Sequence, residues 1–281
     1  MNSSGILSVV TFVYGFAAFL YVASWIFKKP GPGKLATGVT IAGLMGNITG
    51  IALRWIESYK LGYGHAPLSN LYESLVFFAG TIAVVYLVIE KKYHNRVIGA
   101  FAMPLPFLAM AYASLSPNIS DRIQPLLPAL KSNWLIAHVV ACFIGYAAFA
   151  VAFGLSIMYL IKEKDSEGKS HLIALFPKIG VLDELNHQMV MFGFLFLSVG
   201  IITGAVWANS AWGRYWGWDP KETWSLITWF IYATLLHARL TRGWQGRLIA
   251  YLSVAGFAAV LFTYFGVNLL PGLHSYGSMG Q

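Results

Sequence analysis

Eight uninterrupted apolar stretches, at 5–27, 35–56, 71–90, 97–115, 135–161, 189–209, 222–240 and 248–270, dominate the chain. Charge, proline or glycine bounds each one. A hydrocarbon core about 30 Å thick takes about 20 residues of helix to cross. Inside it no water pairs with a stray backbone amide, so such a stretch must close its hydrogen bonds within itself. Period-two alternation is absent, which argues against a closed β-barrel. The expected fold is all-α: a polytopic transmembrane bundle of about eight spanning helices, forming one membrane domain over residues 1–281. The first stretch ends in Lys28-Lys29 and reads as a spanning helix rather than a cleaved leader.

Charge placement orients the bundle. Only 11% of residues are charged, against about 25% in soluble chains. A net charge of +8 could mark a nucleic-acid binder, yet its distribution follows membrane topology. The connections after the first, third, fifth and seventh stretches carry Lys28, Lys29, Lys34; Lys91, Lys92, Arg96; Lys162, Lys164, Lys169, Lys178; and Arg239, Arg242, Arg247, 13 in all. The other side carries 6: Arg54, Lys60, Arg122, Lys131, Arg214 and Lys221. The richer side is expected to be cytoplasmic or stromal, with both termini outward and no nucleic acid among the partners. The connection 162–188 is predicted to hold a short amphipathic helix around Leu172–Leu185. Cys142 is the one cysteine. Without a Cys-x-x-Cys pair, the chain is neither a dithiol oxidoreductase nor itself a c-type cytochrome.

Tryptophan is concentrated in one place. Six of ten fall within 207–229: Trp207, Trp212, Trp216, Trp218, Trp224 and Trp229. The loop at 207–224, between the sixth and seventh stretches, is expected on the outer face. Interfacial belts place aromatics at helix ends, and part of the motif is helix-start grammar. Asp219 suits an N-cap, Pro220 the first helical position, and Glu222 completes a capping box. Asn70-Leu-Tyr-Glu73 makes a similar cap. Neither reading accounts for four Trp and one Tyr in the thirteen residues from Trp212 to Trp224. Such a surface suits a large, flat, apolar ligand with a polar edge, as a porphyrin is.

The stretch Trp212–His237, WGRYWGWDPKETWSLITWFIYATLLH, resembles the tryptophan-rich (WWD) domain of haem-handling membrane proteins. Its Trp-Asp-Pro-Lys-Glu-Thr-Trp form resembles the CcsA (ResC) family of the two-component cytochrome c synthase. Further matching pieces are Pro67-Leu-Ser-Asn-Leu-Tyr-Glu-Ser74, His138 with Gly145-Tyr-Ala-Ala-Phe149, and Leu270-Pro-Gly-Leu-His-Ser-Tyr276. The resemblance implies a haem-binding and haem-delivering subunit of a holocytochrome c synthase. It would handle haem b and work with a CcsB (ResB)-type membrane partner. Its substrate would be an apocytochrome c bearing Cys-x-x-Cys-His, in a bacterial plasma membrane or a thylakoid. It also implies a surface of Trp212, Trp216, Trp218, Asp219 and Trp224, with His138, His237 and His274 as ligands to haem iron.

The histidines sort by position. His94 and His171 sit in charged connections and are expected to be solvated. His187 is expected at an interface, and His65 is a minor candidate for lining the site. His138 begins the fifth stretch and His274 follows Pro271, so both flank the tryptophan loop on its own side. Two neutral imidazoles make a bis-His haem site. His237 lies 13 residues past Trp224, about 19 Å of helix rise. That depth is past the bilayer midplane, where an ionisable residue is a functional candidate. The resemblance makes it a ligand for haem in transit, with the second ligand from the partner subunit. No residue reads as a nucleophile. Two alternatives remain: a diheme electron-transfer protein, for which His237 shows no histidine partner at its depth, and a haem exporter without a ligation role.

Overall fold

The computed structural model describes residues 2–165 and 169–270. The described residues are mostly helical, with no strand among them. The helices are α1 (Ser3–Ile26), α2 (Pro30–Lys60), α3 (Leu71–Tyr93), α4 (Val97–Ala102), α5 (Pro104–Leu115), α6 (Asn133–Lys164), α7 (Ile179–Trp212), α8 (Pro220–Arg242) and α9 (Arg247–Tyr264). All eight apolar stretches are helical. The fourth is interrupted at Met103, because Pro104 lacks the amide that would carry the ladder through and instead opens α5 at its first position. Seven of these segments, Val97–Leu115 taken as one, are long and apolar enough to cross a membrane. The eighth, α8, has 23 residues but is more polar. Large apolar side chains such as Phe12, Phe19, Val88 and Ile202 lie exposed, as lipid-facing surfaces require. The chain is a multi-pass membrane protein.

The amphipathic helix expected at 172–185 does not form as a separate element. Ile173–Leu175 is a short 3-10 turn, and residues from Ile179 onward are the first turns of α7. No proline or glycine pair interrupts α7 after its start, so its helix continues without a break into the apolar stretch.

By its internal contacts the chain groups into two compact units, Met1–Leu130 with Ile161–Ile179, and Lys131–Leu160 with Gly180–Gln281. In the first, Gly43, Gly46 and Gly50 of α2 lie against Tyr14, Val10 and Leu7 of α1 with no room for a Cβ. Small residues at this spacing let apolar helices approach closely. Two buried carboxylates anchor α3 at its ends. Glu73 binds Arg54 Nε at 2.7 Å and accepts from the Ser69 amide and hydroxyl, both at 2.8 Å. Asn70 caps α3 as expected, through the Glu73 amide, but Glu73 returns to Ser69 rather than to Asn70. Glu90 accepts from Tyr21 at 2.6 Å, Tyr86 at 2.7 Å and Arg96 at 3.1 Å.

In the second unit α6 and α7 run antiparallel at close range. Gly145 meets Gly193 backbone to backbone, Gly200 meets Cys142, and Gly204 meets His138. Asn186 donates to Ser156. Phe149 stacks on Tyr232 of α8, and Thr228 pairs with Thr263 of α9 at 3.0 Å. Asp183, near the start of α7, ties three helices together. It accepts Arg239 Nη1 at 2.6 Å and the Gly246 amide at 2.8 Å.

Candidate functional site

His138 sits in the second turn of α6, half-buried against α7. Its Nδ1 lies 2.7 Å from the carbonyl oxygen of Gly200. A carbonyl only accepts, so Nδ1 carries the proton, and the neutral ring keeps its lone pair on Nε2. Metal-bound histidines are ordinarily oriented in this way, with one nitrogen tethered and the other free to ligate. No described residue bonds Nε2. The ring lies nearly parallel to Trp207, at 5.9 Å between centroids and 17° between planes. Trp207 in turn meets Trp212 at 5.0 Å. Gly204 completes the seat: a Cβ there would stand 2.6 Å from Nδ1.

The loop that follows α7 is shaped by two carboxylates. Asp219 caps α8, its Oδ1 accepting the Lys221 amide at 3.0 Å, with Pro220 next in line. Glu222 completes the expected capping box by accepting the Asp219 amide at 3.1 Å. The same oxygen also accepts the Gly217 amide at 2.7 Å. Trp218 lies between those two amides with φ +57° and its side chain 69% exposed. A left-handed backbone costs a tryptophan about 1–2 kcal/mol. The two amide bonds to Glu222 hold it there, with the indole projecting. Trp216 meets Trp218 edge-on at 5.7 Å.

The tryptophans therefore divide. Trp207 and Trp212 belong with His138, and Trp216 and Trp218 form a second pair on the loop. Trp224 packs against Phe262 of α9 at 4.1 Å, and Trp229 against Phe194 and Ser198 of α7. Among the described residues no group of three or more His, Cys, Asp or Glu is placed to hold a bare metal ion. A haem iron asks the protein for only one or two axial ligands, and His138 offers one in the required state.

His237 is exposed on α8, and no described residue bonds its ring. It is not packed inside the chain, so a second ligand there would come from outside. His274 lies outside the described residues. Asp183, one turn before His187 on α7, is bonded to Arg239, two residues past His237 on α8. His187 is buried with Nδ1 unbonded, whereas His237 is exposed. Both ring nitrogens of His65 face backbone carbonyls, of Ala66 at 3.0 Å and Gln124 at 2.9 Å, leaving none for a ligand. Trp207 was counted among the clustered tryptophans but not placed beside His138, and Gly200, Gly204 and the second bond of Glu222 were not singled out from sequence. The glycines at 193, 200 and 204 carried a signal, the small-residue spacing of a close helix crossing.

Known proteins resemble the chain in sequence and in fold. The profile of a family described as cytochrome C assembly protein matches residues 68–274. A protein of Pyropia yezoensis named cytochrome c biogenesis protein CcsA is 40% identical, over 96% of this chain and 97% of its own. CcsA of Gloeobacter violaceus is 38% identical, over 92% and 91%. CcsA of Guillardia theta is 41% identical, over 92% and 90%. Among solved structures, the cytochrome c haem lyase CcmF superposes with a TM-score of 0.71 at 15% identity. That match covers 94% of this chain and 47% of CcmF, so the chain spans about half of CcmF's length, and at this identity the likeness is one of fold.

Proposed function

The chain belongs to the cytochrome c assembly protein family, and on that footing we propose that it holds haem b beside its tryptophan loop for covalent attachment to an apocytochrome c. The observation that carries this reading is the His138 seat. Gly200 fixes the tautomer, Trp207 stacks on the ring, Gly204 leaves room for it, and Nε2 is free for iron. Bound haem supplies the two vinyl groups that cysteine thiols add to. The chain's own residues bind and orient. His138 ligates from one face, and His274, beyond the described residues, is the second axial ligand in this reading. Trp216 and Trp218 offer aromatic surface, and Asp219 and Glu222 hold the loop's shape. Confining both reactants supplies most of what a protein without a nucleophile can contribute.

The 13-to-6 division of basic residues supports placing the loop outside, with both termini. The exposed ring of His237 fits a ligand whose counterpart comes from a CcsB (ResB)-type subunit, gripping haem as it passes through the bilayer. The setting is a bacterial plasma membrane or a thylakoid.

The test is reconstitution. The chain, a CcsB-type partner and an apocytochrome with Cys-x-x-Cys-His are expressed in a host lacking its own pathway, and the cytochrome is extracted with acid acetone. Haem is expected to stay with the polypeptide, and to be absent from it when His138→Ala replaces the chain. Haem that appears outside but is wholly extracted identifies an exporter. Attachment undiminished without the chain overturns the reading.

A further inference from the structure

Four charged side chains lie on the aromatic loop within nine residues: Arg214, Asp219, Lys221 and Glu222. Both acids are engaged by backbone amides at the start of α8. Neither base is. Arg214 and Lys221 make no side-chain hydrogen bond and no ion pair with any described residue. Arg54, Arg96 and Arg239 are, by contrast, paired with Glu73, Glu90 and Asp183. Arg214 is not simply extended into solvent, since its Cζ lies 2.6 Å from where a Cβ of Gly217 would stand, folding the guanidinium over the loop backbone. Lys221 is half-buried in the first turn of α8. A cation there adds to the positive end of the helix dipole, and burial disfavours it further; the nearby carboxylate that favours it, Asp219, is itself engaged in the cap of α8.

We infer that Arg214 and Lys221 recognise the carboxylates of the porphyrin, and so decide which edge of the ring faces the loop. The inference rests on the reading of this surface as a haem site. The propionate and vinyl substituents of haem b occupy opposite sides of the macrocycle. Cations that draw the propionates to the start of α8 therefore turn the vinyl edge away, toward the approaching thiols. Arginine suits a carboxylate through its two-pronged donor face, and lysine through a compact charge.

The experiment separates charge recognition from haem binding as such. Purified full-length chain in lipid nanodiscs is titrated with haemin and with haemin dimethyl ester, whose propionates carry no charge, and Soret absorbance gives each affinity. Haemin is expected to bind about tenfold more tightly than the ester, the scale of one partly screened charge-assisted contact. The double variant Arg214→Gln, Lys221→Met should bind haemin as weakly as the ester, with ester affinity unchanged. Lys221→Arg should keep the preference. Equal binding of both forms by the unaltered chain overturns the inference while leaving the haem site standing. A preference that survives the double variant also overturns it. Binding of neither form overturns the haem reading itself, and this inference with it.

Discussion

Glu222 holds Trp218 from four residues away: one carboxylate oxygen accepts the amides of Gly217 and Asp219, the two residues that flank the tryptophan. The indole is thus presented by a strained backbone that the cap of α8 maintains. Stability and haem retention should then separate. Glu222→Ala removes cap and clamp together and should cost about 1–2 kcal/mol of stability along with haem retention. Trp218→Gly relieves the left-handed strain and should raise stability by about 1 kcal/mol, yet still lower haem retention. Thermal unfolding in detergent and haem content after purification measure the two quantities. A Trp218→Gly chain that keeps its full haem complement removes Trp218 from the site.

The seat of His138 has no slack. A methyl at position 204 would come 2.6 Å from Nδ1, so Gly204→Ala should tilt the ring and break its bond to Gly200. Haem absorbance at the His138 site should fall as far as it does in His138→Ala. Gly38→Ala, where nothing lies within 4 Å of the new carbon, serves as control and should change nothing. A Gly204→Ala chain with unaltered haem spectrum shows that His138 is not held as described.

The bilayer made the fold legible: a lipid core dictates helix, and a run of twenty apolar residues leaves no other choice. The capping box at Asp219 and Glu222 was equally readable, because its rule is local. The loop geometry was not. A positive φ at Trp218 follows from a second bond to Glu222 that no propensity encodes. The free nitrogen of His138 depends on a carbonyl 62 residues away, at Gly200. The start of α7 was read as part of a separate short helix at 172–185, because Asp183 and Glu184 put charge ahead of the apolar stretch. They are helical and held by Arg239.

Topology gives a direct check on the asymmetry of Lys and Arg. An alkaline phosphatase fused at the C-terminus, or within the tryptophan loop, should be active, and one fused within 162–188 inactive. The reverse pattern would place the loop on the side where haem is made and remove the proposed route to the apocytochrome.

His237 should matter only in the assembled complex. Its ring is exposed and unbonded, so His237→Ala should leave the chain inserted and its helices intact. With the partner subunit present and the other two histidines replaced, this change should strip most remaining haem, because an axial ligand is the main anchor at a site within the membrane. Undiminished haem in that background makes His237 a bystander.

The last prediction treats His138 and His274 as opposing ligands. Replacing His138 by glycine leaves an imidazole-sized gap between Trp207 and Gly200, with the Gly200 carbonyl still in place to orient an entering ring. Free imidazole can then bind that carbonyl through one nitrogen and iron through the other, without the backbone tether. His138→Gly should abolish cytochrome maturation, and millimolar imidazole, about the effective concentration a short flexible tether provides, should restore part of it. His274→Gly should behave alike if the tail supplies the opposite face. Trp216→Ala and Trp218→Ala should impair maturation with no such rescue, since imidazole cannot rebuild an aromatic surface. Normal maturation in His274→Gly would show the tail histidine to be idle and leave His138 as the site's one ligand from this chain.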